Sequence, residues 1–336
     1  MLVYEYCCGG GLAQPEANLP MVRMGWAMLR AVLQDLKKWG RVRTVSLLHN
    51  NLRHLAAPAD RVVGTTHAES RLLLDSLLDE ADAALIIAPE EAGGLAGLSA
   101  MALEHGAKLL GSSPQGIIEA GDKWRCYKRL AHAGISTPTT QRLQVDMAKR
   151  TAKDFSYPIV IKPRQGAGCQ GVHCLQSPAE LRSALESQCA DSDFILVQPY
   201  LRGNHLSVSC LVSADEIWPL CLNRQDILMG NPCRYLGCEI TNDAGLRPRA
   251  FALAEQALAQ FEGLRGFVGV DLVFSDGQLY VIEINPRITM AYVSLRQAIK
   301  ANLAQMIWRS IHCEPFRQSV SPTRSDGLEE RLLIGH

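Results

Sequence analysis

Residues 266–289, "GFVGVDLVFSDGQLYVIEINPRIT", read as two strands around an Asp276-Gly277 turn and carry Asp271, Glu283, Asn285 and Arg287. A two-residue loop sets Asp271 opposite Ile282 and leaves Glu283 on the other face, because side chains alternate along a strand. A three-residue loop, with Gly277 left-handed in a bulge, restores parity. Asp271, Glu283 and Asn285 then share one face while Ile282 and Ile284 turn to the core. Three oxygen-bearing side chains on one face suit hard cations that hold a polyphosphate, since Mg²⁺ takes one or two carboxylates beside phosphate oxygens. The ordinary alternative is a solvated strand face.

Upstream, "IVIKPRQGAGCQGV" sets Lys162 near the end of an apolar strand, where it can reach a phosphate as a point charge. Gly166, Gly168 and Gly171 let the following loop fold its N–H groups over that phosphate. Lys123 follows Asp122, itself placed to cap a helix, and "ILVQPYLRG" is a strand able to offer adenine a backbone donor and acceptor near Leu201. Gly9, Gly10 and Gly11 follow the opening strand "MLVYEY", but a G-x-G-x-x-G fingerprint from Gly9 needs glycine where Gln14 stands. That loop, beside Glu5, is expected to meet a substrate or a neighbouring domain and not a nucleotide.

These residues need elements to position them. In the first 110 residues apolar strands ("MLVYEY", "VRTVSLL", "AALIIAP") alternate with helices, the first with Val22, Trp26, Leu29, Leu33 and Leu36 on one face. A Thr66/Glu69 capping box is expected to open the second helix. The pattern βαβαβα predicts a small parallel sheet covered on both faces. Beyond Lys108, Asp122 caps a helix to about Ala133, and Ser177, Pro178 and Glu180 open another. The chain then turns strand-rich, interrupted by a helix from about Arg249 to Phe261 and closed by one from about Tyr292 to Ile311. The expected units are an α/β domain over 1–110, a small lobe with the glycine-rich lid over 111–192, a lobe with the metal site over 193–312, and a weakly ordered tail over 313–336.

Composition excludes several classes. Of 336 residues 47% are hydrophobic and 20% charged, and 34 Lys+Arg balance 34 Asp+Glu, which removes the electrostatic argument for nucleic acid or an anionic membrane surface. Eleven cysteines, odd in number and without C-x-x-C, fit reduced thiols better than a disulfide scaffold or a zinc site, and Cys7-Cys8 reads as two small apolar residues at a strand end, with a redox-active pair as the alternative. No basic-then-apolar leader and no run of 18 apolar residues occurs, so a soluble, cytoplasmic protein is expected.

The order "GDKWRCYKRLAHAGISTP", "VIKPRQGAGCQGV", "LVQPYLRGNHLSVSCLV", "GVDLVF…YVIEINPR" resembles the ATP-grasp superfamily of carboxylate-amine ligases over roughly residues 110–312. The resemblance implies a fold of α/β and α+β character: a Rossmann-like pre-ATP-grasp domain followed by a two-lobed ATP-grasp fold. It implies ATP and Mg²⁺ (or Mn²⁺) as ligands, with Lys123 and Lys162 on the phosphates and Gly166–Gly171 as a mobile lid. Gln198, Tyr200 and Leu201 become the adenine hinge, Asp271, Glu283 and Asn285 the holders of two metal ions, and Arg287, with Lys162, a catalytic group at the transferring phosphoryl. Gln198 stands where a Glu is common, and His205 where a ribose-binding Glu is usual.

"YEYCCGGG", "APEEAGGL", "NHLSVSCLV" and "LNRQDI" further resemble the tyramine-glutamate ligase branch, associated with methanofuran and methylofuran synthesis. That implies an acyl phosphate of the γ-carboxylate of L-glutamate, attacked by tyramine or tyrosine. Arg224 is a candidate for the glutamate carboxylate, or an ordinary surface Arg. Glu5 and Glu90, each just beyond a strand, are candidates for the amine, with Gly9 and Gly10 near the substrate. Small molecules are the expected partners, with a homodimer as the candidate assembly. The competing readings are another ATP-grasp ligase, of dipeptide or purine-pathway type, and a nucleotide-binding regulatory protein without turnover.

Overall fold

The computed structural model describes residues 1–91, 94–188 and 193–314. The first layer is a parallel sheet of β1 (Leu2–Glu5), β2 (Val45–His49), β3 (Arg61–Thr65), β4 (Ala83–Ile87) and β5 (Lys108–Leu109), in the order β3-β2-β1-β4-β5. The sequence pattern anticipates three of these strands; β3 and β5 are additions. β3 is half-exposed and β5 is two residues long, so neither writes a clear apolar run. Helix α1 (Leu19–Trp39) packs on one face with Val3 of β1, while α2 (His67–Asp79) and α3 (Gly94–Glu104) pack on the other with Leu2 and Tyr4. The capping box before α2 does not form: the Thr66 hydroxyl donates to the Glu69 carboxylate at 2.8 Å and caps no backbone N–H.

Helices α4 (Pro114–Gly121) and α5 (Lys123–His132) lead into the small lobe. α4 is unanticipated, and the two helices meet at Asp122, whose Oδ1 accepts from the N–H groups of Trp124 and Arg125. The small lobe is a four-stranded sheet, β6 (Gln141–Gln144), β9 (Phe194–Pro199), β7 (Ile159–Lys162) and β8 (His173–Leu175) in that spatial order. Helices α6 (Val145–Arg150) and α7 (Pro178–Gln188) cover one of its faces. Ile159 and Ile161 turn to that core, so strand parity sends Val160 and Lys162 to the opposite face.

The third sheet is antiparallel: β10 (Asn204–Val212), β11 (Ile217–Leu228), β12 (Arg234–Thr241), β13 (Gly266–Ser275) and β14 (Gln278–Asn285), ordered β12-β11-β10-β13-β14. Leu206, Val208, Cys210 and Val212 alternate into a core under α8 (Leu246–Leu258), with Val268, Val270 and Leu272 of β13. The expected closing helix is two, α9 (Ala291–Ala298) and α10 (Leu303–Ile311), separated where Asn302 caps the second through the N–H of Gln305. Both pack on α1, and Asp35 of α1 accepts from Tyr292 and Arg296 of α9, which fastens the first domain to the last lobe. Of the expected tail, residues 315–336 lie outside the described residues.

Candidate functional site

One cavity lies between the polar face of the antiparallel sheet, the open face of the small lobe and α1 of the first domain. Its central carboxylates come from the β13–β14 hairpin, and the parity expected from the sequence is reached by a different route. Ser275 pairs with Gln278, so the loop is the strict two-residue Asp276-Gly277 turn, with φ of 49° and 79°, both left-handed. The extra residue sits farther on, where Asp271 pairs with Glu283 but Leu272 with Val281, leaving Ile282 as the bulge. Asp271 and Glu283 are thus neighbours on one face, and Ile282, expected in the core, lines the cavity instead.

Each carboxylate has a partner. Asp271 accepts from the Gln225 amide at 3.1 Å through Oδ1 and from the Asn285 amide at 3.1 Å through Oδ2. Glu283 lies 3.2 Å from Lys123 Nζ, which also donates to the Gly166 carbonyl at 2.8 Å. Burial drives both carboxyls upward. Asp271 ends well above its ordinary range because Glu283 adds to the effect, whereas Lys123 and Lys162 outweigh burial at Glu283 and hold it low. Burial brings Lys162 down to about 8, and Glu283 holds it from falling further. Lys123 feels the same burial, but Glu283 and Glu90 more than offset it and its pKa rises.

The Gly166–Gly171 loop is anchored at its base. Lys123 N–H donates to the Arg164 carbonyl at 3.0 Å, and Arg164 Nε lies 2.7 Å from Asp122 Oδ2. Gly166, Gly168 and Gly171 have φ of 133°, 62° and 65°, conformations open to glycine at little cost. Gly168 meets Met24 and Met21 of α1, whose side chains a Cβ there would touch. At the far end Gln198, Tyr200, Leu201 and His205 line the wall, and Nε2 of His205 is buried without a partner.

Other expected residues go elsewhere. Arg224 faces away from the cavity and pairs with Glu239; its neighbour Gln225 points inward, a consequence of strand parity. Gly9 and Gly10 do not line the cavity. A Cβ at Gly9 would collide with Tyr4, and one at Gly10 with Ser70 and Thr65, so these glycines serve close packing of the first domain. Glu90 is not in the lining either: it holds the Arg287 guanidinium, Nε to Oε1 at 3.0 Å. Glu5 does line the cavity, as do Gln225, Ser207, Ser209 and Tyr235, which the sequence reading missed because only sheet pairing brings them there.

The donor set fits hard cations. Two carboxylates and one amide oxygen suffice for Mg²⁺, which keeps water and phosphate oxygens as its remaining ligands. Asn285 and Asp271 already touch, and Lys123 balances the charge of Glu283 that a bound cation would also neutralise.

The family model of the ATP-grasp domain matches residues 120–291, and that of a pre-ATP-grasp domain matches residues 42–117. The chain belongs to the ATP-grasp family of ATP-dependent ligases, in the branch of the tyramine–L-glutamate ligases. The ligase of that name from Methanocaldococcus fervens is 31% identical over 236 residues, 70% of this chain and 68% of its own length. The one from Methanocaldococcus jannaschii is 30% identical over 249 residues, 74% and 69% of the two chains. Among solved structures, an ATP-grasp superfamily protein from Archaeoglobus fulgidus superposes with a TM-score of 0.67 at 25% identity, covering 92% of this chain and 88% of its own. An L-amino acid ligase from Bacillus licheniformis, at 16% identity and a TM-score of 0.69 over 96% and 77% of the chains, shares the fold. Among the described residues no helix is long and apolar enough to cross a membrane.

Proposed function

We propose that this ligase joins the γ-carboxylate of L-glutamate to the amine of tyramine or tyrosine, with ATP activating the carboxylate as an acyl phosphate. The observation that carries the reading is the gathering of Lys123, Lys162, Asp271, Glu283, Asn285 and Arg287 around one cavity that continues to Glu5 and the α1 methionines. Two relatives named for tyramine and L-glutamate support the substrates.

In this reading Gln198, Tyr200 and Leu201 hold adenine, and His205 offers its unpartnered Nε2 to the ribose. Lys123 and Lys162 bind phosphate oxygens, the Gly166–Gly171 lid excludes water from a hydrolysable intermediate, and Arg287 neutralises charge on the transferring phosphoryl. Asp271, Glu283 and Asn285 hold Mg²⁺ or Mn²⁺, which supplies charge neutralisation when bound. Positioning and electrostatics are the main terms, since phosphoryl transfer asks for little covalent chemistry from the protein. With Arg224 facing away, Gln225, Ser207 and Ser209 are the polar groups open to the amino acid. Ten cysteines among the described residues are free thiols, which supports a reducing, cytoplasmic setting.

The test is ADP release with ATP, Mg²⁺ and L-glutamate, with and without tyramine or tyrosine. Stimulation by either amine is expected. ADP formation indifferent to both, but responsive to D-alanine or a purine-pathway intermediate, overturns the substrate assignment.

A further inference from the structure

Three carboxylates line the cavity: Glu283 pairs with Lys123, and Asp271 accepts from the amides of Gln225 and Asn285. The third, Glu5 at the end of β1, is 2% exposed and accepts from the Cys8 N–H at 2.7 Å. Among the described residues no cation pairs with it, while Glu90, another acid near this edge of the sheet, is taken by Arg287. The groups facing Glu5 are the N–H and thiol groups of Cys7 and Cys8, which donate to it, the thiols being driven further toward their neutral forms by burial. Arg287 and Glu91 act on Cys7 from farther away. From α1 comes Gly25, where an added Cβ would fall inside the Glu5 carboxylate. Met21, Met24 and Met28 of the same helix line the cavity beside it, and the first two meet the lid at Gly168.

We propose that Glu5 is the base that takes a proton from the attacking ammonium, and that the three methionines of α1 form the slot for the amine's apolar body. This rests on the ligase reading above. An ammonium entering the slot supplies the counter-charge that Glu5 lacks, and thioethers suit an aromatic ring. One ammonium proton passes to the Glu5 carboxylate, and the freed lone pair forms the C–N bond to the acyl carbon. The C–O bond to phosphate breaks with its electron pair on the phosphate, which takes the second proton from nitrogen. Glu5 returns its proton to solvent as product leaves. Burial brings Glu5 up to about 7, where a general base is both available and effective.

The experiment compares Glu5→Gln with the unaltered protein in two reactions, both with ATP, Mg²⁺ and L-glutamate. One uses tyramine; the other uses hydroxylamine, which is neutral at pH 7 and traps an acyl phosphate without a base. Amide formation is expected to fall at least about 100-fold and to lose its rise through pH 7, while hydroxamate formation stays close to that of the unaltered protein. Glu5→Gln making amide at nearly the original rate overturns the proposal. So does an equal fall in both reactions, which would assign Glu5 to the fold or to carboxylate activation. If the unaltered protein forms no hydroxamate from L-glutamate, the glutamate reading fails, and the comparison is made with whichever carboxylate does support ADP release.

Discussion

Arg287 and Glu90 form a forked ion pair across 197 residues of sequence, Nε to Oε1 at 3.0 Å and Nη2 to Oε2 at 3.3 Å. Both side chains are nearly buried, so each is the other's counter-charge. The pair fastens the first domain to the hairpin that carries the site. Glu90→Ala leaves a buried guanidinium without its carboxylate and is expected to cost about 3–5 kcal/mol of stability. Urea denaturation measures this; a loss under about 1 kcal/mol would mean that the remaining carboxylates already balance Arg287.

Glu283 touches Lys123 and stands beside Asp271, so its removal strips the site of one of two carboxylates. Glu283→Ala is expected to lower ADP release at least about 100-fold in saturating Mg²⁺, with circular dichroism unchanged. Retention of most activity in the folded variant would rule out Glu283 as a metal ligand.

Glu5 also marks stability. Its pKa is about 7 in the folded protein against 4.5 in the unfolded chain, because burial disfavours the charged form. The native state therefore binds the proton more tightly, and stability falls as pH rises through that interval, by about 3 kcal/mol in all. Above the folded value it is level. Glu5→Gln abolishes this term, so the stability of the unaltered protein minus that of the variant should decline between these two values. A flat difference would show that Glu5 titrates normally.

His205 and Arg224 make a contrasting pair. His205→Ala removes the unpartnered imidazole from the cavity wall and is expected to raise the KM for ATP about 10-fold, with little change in kcat. Arg224→Ala, outside the cavity, should leave both constants near their starting values. A large effect at Arg224 with none at His205 would reverse the assignment of the two strand faces.

Local pattern was enough for much of this. The helical spacing of α1, the Asp122 cap and the alternation of β10 and β13 depend on neighbours a few residues away, so they can be read directly. The order of the lysines, the glycine-rich loop and the hairpin carboxylates likewise identified the family. β5 escaped because two residues carry no period, and β3 because its half-exposed RVVGT lacks the apolar run that marks β2 and β4.

Tertiary structure alone decided the rest. Asp271 and Glu283 share a face through a bulge at Ile282 rather than a longer turn, because the Asp-Gly pair already makes a tight hairpin and the strand must absorb the odd residue within the ladder. Whether Gln225 or Arg224 faced the cavity hung on pairing with β10 and β12, and both strands are needed to set it. Glu5 and Glu90 looked alike in sequence. They differ because a guanidinium from 197 residues away neutralises one, while the other is buried against a glycine and left without a cation.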